Sequence, residues 1–170
     1  MPLTPTHTEA PVRLSVRLAE TPSLIGREFR GPWFVIDQNL LPLYDRSCGI
    51  DDETSTMDPD SYPDKLVEGF HLLGFLDPLL NDVVTVDGDP WYGLNYGLDR
   101  VRFVTPVLAG QPIRLRGRIG DVREKGDGYL VLHECVVEIE GEERPGFLAD
   151  FWALWRPAAN GTVHVNSEGR

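Results

Sequence analysis

Apolar residues along this chain follow two different periods. Over residues 63–76, Leu66, Phe70 and Leu73 recur at helical spacing, and Leu72, Phe75 and Leu76 fill most of the remaining sides. A helix apolar nearly all round is a buried one, so the pattern predicts one enclosed helix there. Ser61 and Asp64 form a capping-type start, Pro63 suits a first turn, and Asp77-Pro78 reads as a stop. Downstream the period drops to two. Strands are expected over 83–86, 91–96, 100–104, 113–119, 129–139 and 147–155. The alternation is cleanest where Ile113, Leu115 and Ile119 are interleaved with Arg114, Arg116 and Arg118. Lys125-Gly126-Asp127-Gly128 is a hairpin turn and 141–145 a second turn.

Before the helix the pattern is weaker. Val12, Leu14, Val16 and Leu18 alternate with polar residues, as an added edge strand or an arm lying on a partner. Residues 32–37 read as a strand, and 38–47 as a short helix with Leu40, Leu41 and Tyr44 facing inward, ended by Gly49. Residues 51–62 are acidic, lack a core pattern and form a loop. Segregated helices and strands make the class α+β. One domain fits 170 residues: an N-terminal extension over 1–23, a core over 24–156, and a polar tail over 157–170.

Composition narrows the function. A net charge of −11 disfavours nucleic acid and anionic membrane surfaces as partners. Cys48 and Cys135 lie far apart, without histidines at ligand spacing, so neither a disulfide framework nor a zinc site is expected. No apolar run reaches membrane-spanning length and the start is not a signal peptide, which implies a cytoplasmic protein. With no glycine-rich phosphate loop, no Gly-x-Ser-x-Gly elbow and no metal-ligand cluster, the chemistry is expected to need no cofactor.

Three stretches carry a family resemblance: Ile25-Gly26-Arg27-Glu28-Phe29 with Trp33 to Asp37; the run Asn95-Tyr96-Gly97-Leu98-Asp99-Arg100-Val101-Arg102-Phe103, followed by Pro106-Val107 and Gly110; and Gly141, Pro145 and Ala149. They resemble the MaoC-like hot-dog proteins, which include R-specific enoyl-thioester hydratases and dehydratases. The resemblance covers residues 24–156 and implies a long helix wrapped by a curved antiparallel sheet. It also implies a homodimer or higher homo-oligomer formed through the sheets, with sites for acyl thioesters of coenzyme A or an acyl carrier protein between protomers.

The catalytic positions depart from the family pattern. Family hydratases carry an aspartate, and a histidine five residues on, in the loop before the helix. Here Asp51 stands at the aspartate position and Thr56 at the histidine position. The family's histidine-glycine within the helix is Glu68-Gly69 here. Gly69 fits the part whose backbone N–H faces the thioester oxygen. Asp51 and Glu68 are a carboxylate pair able to divide base and acid roles if burial raises one pKa. Thr56 can hold a water or a substrate group. Glu68 and His71 are neighbours on one helix face, so His71 stands where it can replace the missing histidine, although a lone helix-face histidine more often bonds to a loop. Asn95 and Tyr96 are candidates for substrate contact. The row Arg114, Arg116 and Arg118 can meet phosphate or an acidic carrier, but such a row is more often the wet side of a sheet.

The expected function is therefore a cofactor-independent lyase of MaoC type, acting on a β-hydroxyacyl or enoyl thioester. Its altered acid–base set also suits isomerisation or ring closure in specialised-metabolite biosynthesis. The alternatives are a non-catalytic acyl-binding or partner subunit, and a thioesterase.

Overall fold

The computed structural model describes residues 9–49, 62–88 and 90–158. In chain order its strands are β1 (Leu14–Arg17), β2 (Glu28–Arg30), β3 (Phe34–Val35), β4 (Val84–Asp87), β5 (Trp91–Phe103), β6 (Pro112–Lys125), β7 (Gly128–Ile139) and β8 (Phe147–Pro157). Helices α1 (Leu41–Ser47), α2 (Gly69–Gly74) and α3 (Leu76–Asn81) lie between β3 and β4. Strands β2-β6-β7-β8-β5 form an antiparallel sheet in that order, with β3 also pairing β6.

The period-two pattern does what it predicts. Val131, His133, Cys135, Val137 and Ile139 of β7 point inward, as do Phe147, Ala149, Phe151, Ala153 and Trp155 of β8 and Ile113, Leu115 and Ile119 of β6. The β6–β7 hairpin turns at Gly126, whose φ of 66° is in the left-handed region that favours glycine. The segments expected over 91–96 and 100–104 are one strand, β5, irregular between Asn95 and Gly97 and again between Asp99 and Arg102.

On the outer face, Arg114 and Arg116 both reach Glu138, with Nε–O distances of 2.7 and 2.6 Å. Arg118 pairs with Glu134, and Arg100 with Asp150. The arginine row is therefore neutralised by carboxylates of its own sheet.

The central helix differs from expectation in start, stop and burial. Residues 65–67 are held like a strand: Val67 N–H donates to Val107 O at 2.9 Å, Ala109 N–H donates to Lys65 O at 2.9 Å, and Lys65 takes a φ of 62°. Those backbone groups are spent across the chain, so helix begins only at Gly69. It does not stop at Asp77-Pro78. Pro78 falls in the first turn of α3, where a missing N–H costs little. Nor is the helix buried on all sides: Leu72, Leu76 and Leu80 make one inward stripe, while Phe70 is 77% exposed.

The N-terminal alternation becomes β1, which pairs in parallel with β4, Leu14 opposite Val84. Just before it, Val12 bridges Arg30 of β2 at the edge of the large sheet, with N–O distances of 2.8 and 3.0 Å, so the N-terminal stretch touches that edge at one residue and otherwise extends β4. Among the described residues no helix is long and apolar enough to cross a membrane.

Candidate active site

Helices α1 and α2 meet through aromatic rings. Asp37 accepts the Asn39 N–H at 2.9 Å and so starts the turn that runs into α1. The Tyr44 ring lies flat on His71, with centroids 4.1 Å apart and planes 3° from parallel. His71 also stacks on Phe75, one helical turn on, at 5.1 Å. Phe75 in turn tilts against Phe34 of β3 at 5.4 Å. The stack ties α1, the central helix and the sheet together at one end of the fold.

This packing sets the protonation states. Burial lowers the His71 pKa from its ordinary value, against opposing charges at Asp45 and Glu68, and leaves a neutral imidazole at neutral pH. The Tyr44 phenol is pushed up to about 12, first by burial, then by its hydrogen bond with Cys48 and by the charges of Cys48, Glu68 and Asp45. Tyr44 therefore keeps its proton. The charge of Glu68 is among the causes acting on both rings.

Glu68 is not the buried helical carboxylate that the pattern suggested. It is exposed and stands at the helix N-cap with extended backbone (φ −60°, ψ 147°) while its carbonyl accepts the Leu72 N–H at 3.0 Å. The strand-like strip at 65–67 delays the helix and brings Glu68 to its entry. Gly69 follows as the first helical residue, so its N–H has no acceptor within the helix. A Cβ at Gly69 would sit 2.8 Å from Cζ of Phe103, whose ring packs directly on the glycine.

The other expected residues are distributed differently. Asp51 and Thr56 lie outside the described residues. Tyr96 is engaged elsewhere: Lys125 Nζ donates to its hydroxyl at 2.7 Å and lies 4.3 Å from its ring centre. Asn95 borders an open cleft of about 650 Å³ between α3, β4 and the sheet, lined also by Asp77, Trp91, His133 and Trp155. His133 there is fully enclosed and its pKa is pushed down to about 4 by burial. Tyr44 and His133 each sit in an apolar pattern that reads as core, so the sequence marks neither the ring stack nor the enclosed imidazole.

No family model matches the chain. Individual proteins do. It is 32% identical over 142 residues to nodulation protein N of Rhizobium leguminosarum bv. viciae, covering 79% of this chain and 88% of that one. It is 29% identical over 125 residues to the 3-hydroxyacyl-thioester dehydratase Z of Mycobacterium tuberculosis, covering 69% and 81%. The chain belongs to the MaoC-like hot-dog family. Its fold agrees: the 3R-hydroxyacyl-ACP dehydratase complex HadBC of M. tuberculosis superposes with a TM-score of 0.57 at 19% identity, covering 78% of this chain and 96% of that one. The long helix of the MaoC-like fold is here the consecutive pair α2 and α3, entered at Glu68-Gly69.

Proposed function

We propose that the chain is a cofactor-independent lyase interconverting a β-hydroxyacyl and an enoyl group, presented as a thioester of coenzyme A or of an acyl carrier protein. The observation that carries this is the grouping at the entry to α2: the Glu68 carboxylate, the Gly69 N–H and the Tyr44–His71 stack. The likeness to a 3-hydroxyacyl-thioester dehydratase supports it. Glu68 takes the proton from the α-carbon, where the thioester carbonyl spreads the resulting charge. The Gly69 N–H donates to the thioester oxygen as that charge builds. Asp51 is the second carboxylate of the site and Thr56 holds a water or the substrate. Asn95 faces the acyl portion, for which the cleft between α3, β4 and the sheet has apolar walls at Val84, Val86, Phe151 and Trp155. Tyr96 belongs to the same signature run.

An enolate formed in this way also serves double-bond isomerisation or ring closure, neither of which needs an activated water. That chemistry fits a site lacking the family histidines and a place in specialised-metabolite biosynthesis. The protein works as a cytoplasmic homodimer, joined along β5, which ends the sheet and exposes Tyr92, Leu94 and Leu98.

The test is to follow enoyl absorbance with short and medium β-hydroxyacyl and enoyl thioesters, on wild type, Glu68→Gln and Asp51→Asn. Turnover in the wild type that both variants lose supports the lyase. The exposure of Glu68 favours one competing function, a non-catalytic acyl-binding or partner subunit, which predicts saturable acyl binding without turnover. Release of free thiol would assign a thioesterase.

A further inference from the structure

We propose that the cleft between α3, β4 and the sheet reads a hydroxyl on the distal part of an acyl chain, with Nε2 of His133 as the acceptor. This rests on the lyase function proposed above and names the acyl class it takes, a chain hydroxylated well away from the thioester.

His133 breaks the pattern of its strand. It is a buried polar side chain on the inward face of β7, among Val131, Cys135 and Val137. An apolar residue would fill that position without giving up the hydration of an imidazole, and a local rule broken in this way points to function. The chemistry of the ring is fixed. A carbonyl only accepts, so Nδ1, 3.2 Å from Phe151 O, carries the proton of the neutral imidazole. Burial outweighs the pull of the Phe151 and Val131 carbonyls and keeps the ring uncharged above about pH 4. Nε2 is then a bare lone pair. Among the described residues, the enclosed side-chain nitrogens and oxygens that lack a partner are Arg30 Nε and Trp33 Nε1. Nε2 is not one of them, and His133 lines the cleft. The lone pair therefore meets the cleft, where it takes a hydrogen bond and cannot give one.

The cleft lies a chain's length from the entry to α2. Phe103, packed on Gly69, is opposite Phe147 at the start of β8, and His133 is opposite Phe151. Four steps of strand separate the two rows, about 13 Å at a strand's rise. The helical wall agrees. Asp77, which lines the cleft, stands eight residues beyond Gly69, about 12 Å of helix. His133 is thus too far along to serve the carbons handled at Glu68, and it meets a group further down the chain. The walls also choose that group. Asp77 and Asp87 repel a terminal carboxylate, and a ketone offers Nε2 only a second acceptor. A bare methyl leaves the lone pair unpaired at a cost. A hydroxyl satisfies it.

Trp91 and Trp155 line the cleft, so tryptophan fluorescence reports what enters it. Wild type is titrated with pantetheine thioesters of saturated fatty acids ending in methyl, hydroxyl, methyl ether or carboxylate, over a series of chain lengths. At one optimum length the hydroxyl-ended chain should bind about tenfold tighter than the methyl- and ether-ended ones, with the carboxylate-ended chain weakest. His133→Leu should lose the preference, and His133→Gln, which restores an acceptor oxygen, should recover part of it. Equal binding of hydroxyl- and methyl-ended chains by wild type, no quenching by any of them, or a preference that survives His133→Leu overturns the assignment. Turnover of β-hydroxyacyl thioesters with the same chain ends is read alongside. Turnover without the preference overturns the distal hydroxyl and leaves the lyase standing. A preference in binding with no turnover overturns the lyase and leaves the cleft's reading of the hydroxyl in place.

Discussion

Nδ1 of His133 lies 3.2 Å from the carbonyl oxygen of Phe151 on the adjoining strand, and the imidazole is fully enclosed among Phe29, Phe151 and Trp155. In the neutral ring Nδ1 donates to that carbonyl. Enclosure disfavours the charged form and pushes the pKa down to about 4. An unfolded chain would titrate this histidine near 6.5. Between those values the unfolded state binds the extra proton. The stability that His133 contributes is therefore complete above about pH 6.5 and is lost as pH falls toward 4, by about 3 kcal/mol in all. Urea denaturation of wild type and His133→Leu at a series of pH values checks this. The variant should lose less stability over that window than wild type, and parallel curves would place the proton elsewhere.

The contact between Phe103 and Gly69 gives a second expectation. A Cβ at position 69 would meet three ring carbons of Phe103 at 2.8 to 3.0 Å. Gly69→Ala should raise helix propensity yet lower stability by about 1 kcal/mol, because the clash outweighs the propensity gain. The ring is half exposed and can swing partly aside, which keeps the cost modest. Phe103→Ala should remove most of the penalty, so the two changes will not add in a double-mutant cycle. Additive effects would mean that the ring does not rest on the glycine in solution.

What the sequence reveals here tracks how local the determining interaction is. Strand β7 is legible because its pleat shows as period-two alternation and a glycine turn precedes it. The helix start is not, because Ser61, Pro63 and Asp64 resemble a helix N-terminus. The decision is made instead by Val107 and Ala109, whose backbone groups pair with residues 65–67. The same shift moves Glu68 from helix interior to helix entry. Gly69 and His71 could be singled out from their neighbours and the family pattern. Tyr44 could not, since its inward position on α1 fits core packing as well as it fits a stack on His71.

Strand β5 ends the sheet, and Leu94 and Leu98 are 50% and 42% exposed on it. An open edge with apolar side chains invites a second copy. In a two-fold pairing the edge meets itself, residue i facing j and j facing i, so charges of one sign placed at both Leu94 and Leu98 are brought against like charges. Light scattering coupled to gel filtration should give the mass of two chains for wild type and of one for Leu94→Glu/Leu98→Glu. A wild type that runs as a single chain at high concentration would rule out this edge as the dimer contact.

Arg114 supplies the last test, on the opposite face. Its side chain is nearly enclosed, with Nε donating to Glu138 at 2.7 Å, a terminal nitrogen 3.3 Å from Glu9, and the guanidinium 4.5 Å over the Trp33 ring. Breaking a buried pair usually costs about 3–5 kcal/mol, because a charge is left without a partner. Here Glu138 keeps Arg116 at 2.6 Å, so the stranded-charge part shrinks and the lost cover over Trp33 becomes the larger share. Arg114→Ala should then cost about 2 kcal/mol. Arg114→Lys should recover less than half of it, since an ammonium can neither stack flat on the indole nor hold two carboxylates in one plane. Arg114→Met should do better than lysine, because it restores cover over the ring without demanding a partner. Urea midpoints of the three variants decide the order, and a lysine variant as stable as wild type would show that charge alone, rather than shape, holds this corner.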